Sequence, residues 1–413
     1  MKGPYSEITV IVCITLYLVL LSLIAMVGEK HFQKLKGRGL DRFIYVLAAG
    51  VYCTSWTFYG CIGNCAKAGY SFLGLFIGPS IFALTWWVFL RKVVRVCREF
   101  NVTSVPDLLS IRYGRSGLIA VVSTLFLLVA IVPYIALQLR AIEISLDIIA
   151  GTKLFRKYVD PTFLVTLYLA AFALIFGGRY LDLAKRQGGI LTAIAFESVV
   201  KLVIFLIAGA VIVYSFGGGL EKIYQRAARD PELVNILSLS SSPGTAFGRW
   251  FAFMVIAIFN VIVLPRQFHV IVVQNTDETH VKTLSWLFPL YILLINIFVI
   301  PVALYGRLAG LPPSLGDRFI LSIPLSEGRH LLSLFIFLGG FSAATAMVIV
   351  STIALGKMLA NNIFFPVLLW LRKESQTYQQ LLMTARASML LVLFLGYLYA
   401  VAMSRQSVLM EIG

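Results

Sequence analysis

Glu197 and Lys201 stand four residues apart, acid first, inside an otherwise apolar run from 189 to 216. On a helix that order sets carboxylate and ammonium on one face as an ion pair. A charge at membrane depth is costly, so each would neutralise the other. Two readings stand. The pair is a structural or gating element facing a bundle interior, or it lies near the cytoplasmic end and snorkels to the interface.

A second kind of chemistry is carried by residues 43–63, FIYVLAAGVYCTSWTFYGCIG. The run has no charge and is long enough to cross a bilayer. Gly50, Gly60 and Gly63 weaken it as a helix, and Thr54, Ser55, Trp56 and Thr57 put polar groups near its middle. A broken helix lining a polar cavity explains that centre, because unwound carbonyls there bind a cation or a substrate. The feature recurs at 331–356, where residues 339–345, GGFSAAT, are expected to interrupt another apolar run. Two interrupted spans far apart point to a binding site of the transporter kind. Trp56 and Tyr59 are candidates to stack on a substrate, or else core packing. Asn260, mid-span before Pro265, is a substrate contact or an interhelical hydrogen bond. Trp86 and Trp87 end a span and are expected in the interfacial belt.

Composition sets the elements that must position these groups. The chain has 413 residues, 59% of them hydrophobic, with mean hydropathy +0.89 and only 13% charged. A soluble domain would carry about 25% charged residues. The chain is therefore all-α and polytopic, with the lipid bilayer as its solvent. The net charge of +16 sits in short loops between apolar runs, which points to membrane orientation and not to nucleic acid. Five cysteines, mostly in or beside apolar spans, do not read as a disulfide framework, and four scattered histidines suggest no metal centre. No P-loop and no Ser/His/Asp set on water-accessible loops occurs, so neither an ATP-driven pump nor an enzyme is expected.

Ten spans are expected at 8–28, 43–63, 71–90, 117–138, 161–177, 189–216, 247–264, 283–305, 331–356 and 384–403. The first is too long for a signal h-region and reads as a retained helix. Loop 29–42 holds Lys30, Lys34, Lys36, Arg38 and Arg42. Loop 91–116 holds Arg91, Lys92, Arg95, Arg98, Arg112 and Arg115, while loop 64–70 holds only Lys67. The positive-inside rule puts the first two in the cytoplasm and the N-terminus outside. Loops 139–160, 217–246 and 306–330 are then external. Arg140, Glu143 and Asp147 extend the 117–138 helix outward, toward an external vestibule.

Residues 101–114, NVTSVPDLLSIRYG, resemble a signature of the sodium/solute symporter family, through Thr103, Pro106, Asp107, Arg112, Tyr113 and Gly114. Residues 177–201 (GGRYLDLAKRQGGILTAIAFESVVK), 264–275 (LPRQFHVIVVQN) and 342–357 (SAATAMVIVSTIALGK) resemble one branch of it. That branch is the symporter-like membrane module in front of bacterial sensor histidine kinases.

The resemblance implies a LeuT-type inverted-repeat bundle of two five-helix repeats with one extra N-terminal helix, within a single transmembrane domain over 1–403. The repeats would be 43–216 and 247 onward. It implies a sodium ion between the broken second span and the ninth, held by carbonyls near Gly50 and Cys53, the Ser342 carbonyl and the Thr345 hydroxyl. The family often has adjacent hydroxyl residues where this chain has Thr345-Ala346, so one oxygen is missing. Trp56 and Tyr134 are similar to family substrate-site aromatics.

The second repeat has only four spans before Gly413. Residues 404–413 are expected to lead toward a further helix, with a possible histidine kinase region in a longer gene product. The implied function is sodium-coupled transport of a small organic solute, an amino acid or organic acid, across a bacterial inner (plasma) membrane. The alternative is a solute-sensing module of a sensor histidine kinase, without the kinase domain.

Overall fold

Apolar runs of this length fold as helices because a bilayer core offers backbone N–H and C=O groups no other partner. The computed structural model describes residues 3–37, 39–151, 160–178, 188–236, 246–371 and 377–403, and the regular structure among them is helical throughout. Residues 404–413, the 179–187 part of one family-like stretch and the 238–244 loop lie outside the described residues.

The first half holds α1 (Glu7–Gly37), α2 (Leu40–Ala48), α3 (Cys61–Ala68), α4 (Gly74–Leu84) and α5 (Phe89–Glu99). It continues through α6 (Val105–Arg112), α7 (Gly117–Ala150), α8 (Pro161–Phe172) and α9 (Gly188–Ala210). The second half holds α10 (Ala246–Val263), α11 (Pro265–Phe268), α12 (His280–Asn296), α13 (Val299–Leu308), α14 (His330–Leu359) and α15 (Tyr378–Ala402). Among the described residues, seven helices are long and apolar enough to cross a membrane. The number is eight if Trp250–Val263 and Pro265–Val273, bent by 48° at their junction, form one span. Thr162–Gly177 is a shorter apolar helix.

The ten expected runs are thus re-divided. The 43–63 run breaks after Tyr52, and its second half continues as one apolar stretch, Trp56–Leu84. Helix α7 runs on to Ala150, through residues expected in an external loop.

Helix α14 is the centre of the bundle and packs against α7, α9 and α15. It is continuous from His330 to Leu359, so the interruption expected at 339–345 does not occur. Its glycines serve close approach instead, as small residues do between membrane helices. A Cβ on Gly340 would lie 2.0 Å from the Tyr59 hydroxyl oxygen, and one on Gly339 would lie 2.8 Å from Ile204. The second break lies elsewhere, at Leu264-Pro265. Proline lacks the N–H that would continue the helix ladder, and Leu264 is extended at ψ 125°.

Trp86 also departs from expectation. It is not interfacial but fully buried, with its ring 5.0 Å from that of Phe288.

Candidate functional site: two helix breaks facing one cavity

At the first break Cys53 turns extended, with φ −81° and ψ 109°. Thr54 restarts the helix: its Oγ1 accepts from the Trp56 N–H at 3.2 Å, and its carbonyl accepts from Phe58 N–H at 3.1 Å. Ser55 donates through both its N–H (3.0 Å) and its hydroxyl (2.7 Å) to Oε1 of Gln138 on α7. Hydroxyl residues favour such sites because they satisfy backbone groups locally.

A break at membrane depth must also find donors for its freed carbonyls. Two other helices supply them. Gln267, just after the second break, donates from Nε2 to the Ala49 carbonyl at 3.1 Å. Lys201 on α9 donates from Nζ to the carbonyls of Gly50 and Cys53, each at 2.6 Å. Gly50 leaves room for this, since a Cβ there would lie 2.9 Å from Ser198 Oγ and 3.0 Å from the Tyr291 ring.

Glu197 and Lys201 are both buried in the bundle, so neither snorkels. They are not joined as a direct ion pair, because each has other partners. Glu197 accepts from the Thr345 hydroxyl at 2.6 Å, and its backbone carbonyl accepts from the Ser342 hydroxyl at 3.0 Å. Arg140 makes its ion pair with Glu143 at 2.5 Å and is buried within the bundle.

Trp56, Tyr134 and Asn260 line one cavity of about 340 Å³, together with Tyr52, Phe76 and Arg266. Of the candidate sodium donors, the Gly50 and Cys53 carbonyls meet Lys201 of α9, and Thr345 of α14 meets Glu197 of that same helix. Tyr134 reaches the break directly, with its hydroxyl 3.3 Å from Thr54 Oγ1. Trp56 stacks on Phe76 with ring centroids 6.5 Å apart, and its Nε1 has no protein partner.

Sequence reasoning missed Arg266. Its guanidinium lies 4.8 Å over the Tyr134 ring, the residue is 2% exposed, and Nε and Nη1 find no hydrogen-bond acceptor among the described residues. Sequence reasoning also missed Gln138 and Gln267. The signal for Arg266 and Gln267 was present: an arginine and an amide directly after a proline, inside an otherwise apolar stretch.

Beyond the helical segment that follows the second break, the chain is tied to α5. Arg91 and Arg95 pair with Glu278 at 3.2 and 3.0 Å, and Arg98 donates to the Asn275 carbonyl at 2.8 Å.

Broken helices converging on a partly polar cavity are the architecture of secondary transporters. The chain belongs to the sodium:solute symporter family, whose model matches residues 35–410. It is similar to an uncharacterized symporter, YhjB, of Bacillus subtilis (strain 168), at 26% identity over 196 residues. The matched stretch is 46% of this chain and spans 37% of the length of that relative. Its fold is similar to that of a Na+-coupled sialic acid symporter in a substrate-bound outward-open state. The TM-score is 0.66 at 15% identity, covering 94% of this chain and 80% of that one. The chain is thus a multi-pass membrane protein with a LeuT-type helical fold, as the sequence implied.

Proposed function

We propose that this chain moves a small organic solute bearing a carboxylate, an amino acid or organic acid, across the membrane by alternating access. The observation that carries the reading is Arg266. A guanidinium removed from solvent whose Nε and Nη1 lack acceptors among the described residues is costly unless an anion or water completes its shell. Arg266 faces a cavity roomy enough for a small solute, between a tyrosine face and the polar edge of Asn260.

Charge balance supports the same reading. Arg266 and Lys201 bring two positive charges near the first break, against the single carboxylate of Glu197. A solute carboxylate offsets the excess. In this reading Arg266 orients the carboxylate by a forked pair of hydrogen bonds. Trp56 and Tyr134 cover the apolar part of the solute, and Asn260 takes a remaining polar group.

The two breaks, at 53–55 and 264–265, would mark corresponding helices of the two repeats, 43–216 and 247 onward. Membership of the family supports an ion gradient as the driving force, with sodium as the first ion to test. The family, the one relative reported and the structural neighbour are each described as symporters, which favours transport over the kinase-linked sensing alternative.

The test is uptake of a labelled mixture of amino acids and carboxylic acids into proteoliposomes. Uptake should be saturable and competed by unlabelled carboxylates, but not by the corresponding amides. Absence of both uptake and binding for every carboxylate would reject the proposal.

A further inference from the structure

The family implies a sodium ion held by the carbonyls at Gly50 and Cys53 with Ser342 and Thr345. The residues here do not fit that ion. Sodium is a hard cation that needs about five or six oxygens. The Gly50 and Cys53 carbonyls already accept from Lys201 Nζ at 2.6 Å each. Thr345 turns its hydroxyl to Glu197 at 2.6 Å, and the Ser342 carbonyl lies 3.3 Å from that same hydroxyl, accepting from it. Ala346 supplies no further oxygen.

We infer that the Lys201 ammonium, reaching from α9, is the built-in cation of this position, and that solute binding here needs no sodium ion at these carbonyls. Three features of the geometry agree. The two short contacts are of charge-assisted length, so the side chain is bound and not merely packed. Lys201 is fully buried, which a charge tolerates only where acceptors replace water. A second cation sharing the same carbonyls would meet strong repulsion in a medium of low dielectric constant. Glu197, one turn away on α9, balances the charge without displacing the ammonium from its carbonyls. The cradle therefore performs with a covalently attached cation what a mobile ion would do, which is to hold the broken segment against α9.

This inference rests on the transport reading only for its place in a transport cycle. Its test reads stability, so the two can fail separately. The purified chain is unfolded thermally in sodium chloride and in choline chloride at equal ionic strength, alongside Lys201→Met. The expected result is no sodium effect on the wild type and a sodium-dependent rise of about 2 °C or more in the variant, whose carbonyls are then free to bind the ion.

Sodium protection of the wild type would overturn the inference. Protection of neither protein would also overturn it, because the carbonyls would then be no cation site. Should Lys201→Met fail to fold, Lys201→Gln, which also removes the charge but keeps a polar end among the carbonyls, takes its place with the same two readings.

Discussion

The side-chain amide of Gln267 donates to the carbonyl of Ala49 at 3.1 Å, joining the residues that follow the second helix break to those that precede the first. Each break frees carbonyls that lipid cannot satisfy, and the fold answers by making the two breaks serve one another. Lys201 does the same from α9 for the carbonyls of Gly50 and Cys53, while Gln138 on α7 accepts from the N–H and hydroxyl of Ser55. Both breaks line one cavity, the first through Tyr52, Trp56 and Thr57 and the second through Leu264 and Arg266.

Arg266→Gln removes the guanidinium and its charge while keeping a polar side chain. Solute affinity should fall by about tenfold or more, the scale for truncating one partner of a buried charge pair. Because Arg266 has no protein acceptor at Nε or Nη1, thermal stability should fall little or rise. A variant that binds carboxylates as the wild type does would remove Arg266 from the solute site.

Trp56 and Trp86 should separate function from packing. Trp56 lines the cavity, whereas Trp86 is fully enclosed against Phe288. Trp56→Ala is expected to weaken solute binding with modest loss of stability. Trp86→Ala should cost about 3–5 kcal/mol of stability, as for a large core truncation. Binding isotherms and thermal unfolding on both variants make the comparison. Equal losses of affinity per remaining folded protein would return Trp56 to the packing residues.

Gly340→Ala should prevent correct folding, since the new methyl would meet the Tyr59 ring and hydroxyl at 2.0–2.4 Å. Neither partner can yield inside a close-packed bundle. Combining it with Tyr59→Ala should restore part of the folded yield in detergent chromatography. A Gly340→Ala protein as stable as the wild type would show that α14 and the 56–60 segment do not approach so closely.

Thr345→Ala leaves the Glu197 carboxylate without its 2.6 Å donor. The expected cost is about 1–3 kcal/mol, the penalty for an unsatisfied buried polar group. Thr345→Ser, which keeps the hydroxyl, should lose less than half of that. Matching losses in the two variants would show that the methyl group and not the hydrogen bond matters.

Glu278 gives a pH dependence. The Arg91 guanidinium beside it, followed by Arg95, holds its carboxyl below the ordinary value of 4.5. A carboxyl with a depressed folded value contributes stability that is present above 4.5 and lost as pH falls through the folded value. The contribution is small, as for exposed ion pairs generally. The melting-temperature difference between wild type and Glu278→Gln should therefore be constant at neutral pH and vanish on acidification. A difference that grows on acidification would contradict the sign.

Much of the site was legible residue by residue. Thr54, Ser55 and Trp56 announce a break because hydroxyls and an amphipathic ring have no place in the middle of a lipid-facing helix. Asn260 before Pro265 marks the second break equally well. The 339–345 segment misled for a physical reason: glycines in an apolar run serve either to break a helix or to let another approach it. Only the neighbour decides, and here it is Tyr59. Trp86 misled in the same way, since a tryptophan at a span end belongs to an interface unless another helix covers it.

What the sequence by itself determined is the solvent and the building material: long charge-poor runs that satisfy their backbones only as membrane-spanning helices, with basic loops between them. It also determined where those helices are weak. The partners of the weak points were decided by tertiary structure alone. Lys201 and Glu197 are one turn apart and on sequence grounds should pair with each other. In the folded bundle the freed carbonyls of Gly50 and Cys53 lie within reach of the ammonium, and the hydroxyl of Thr345 within reach of the carboxylate. A buried charge takes the acceptors that the fold brings to it, and those come from residues about 150 positions distant in the chain.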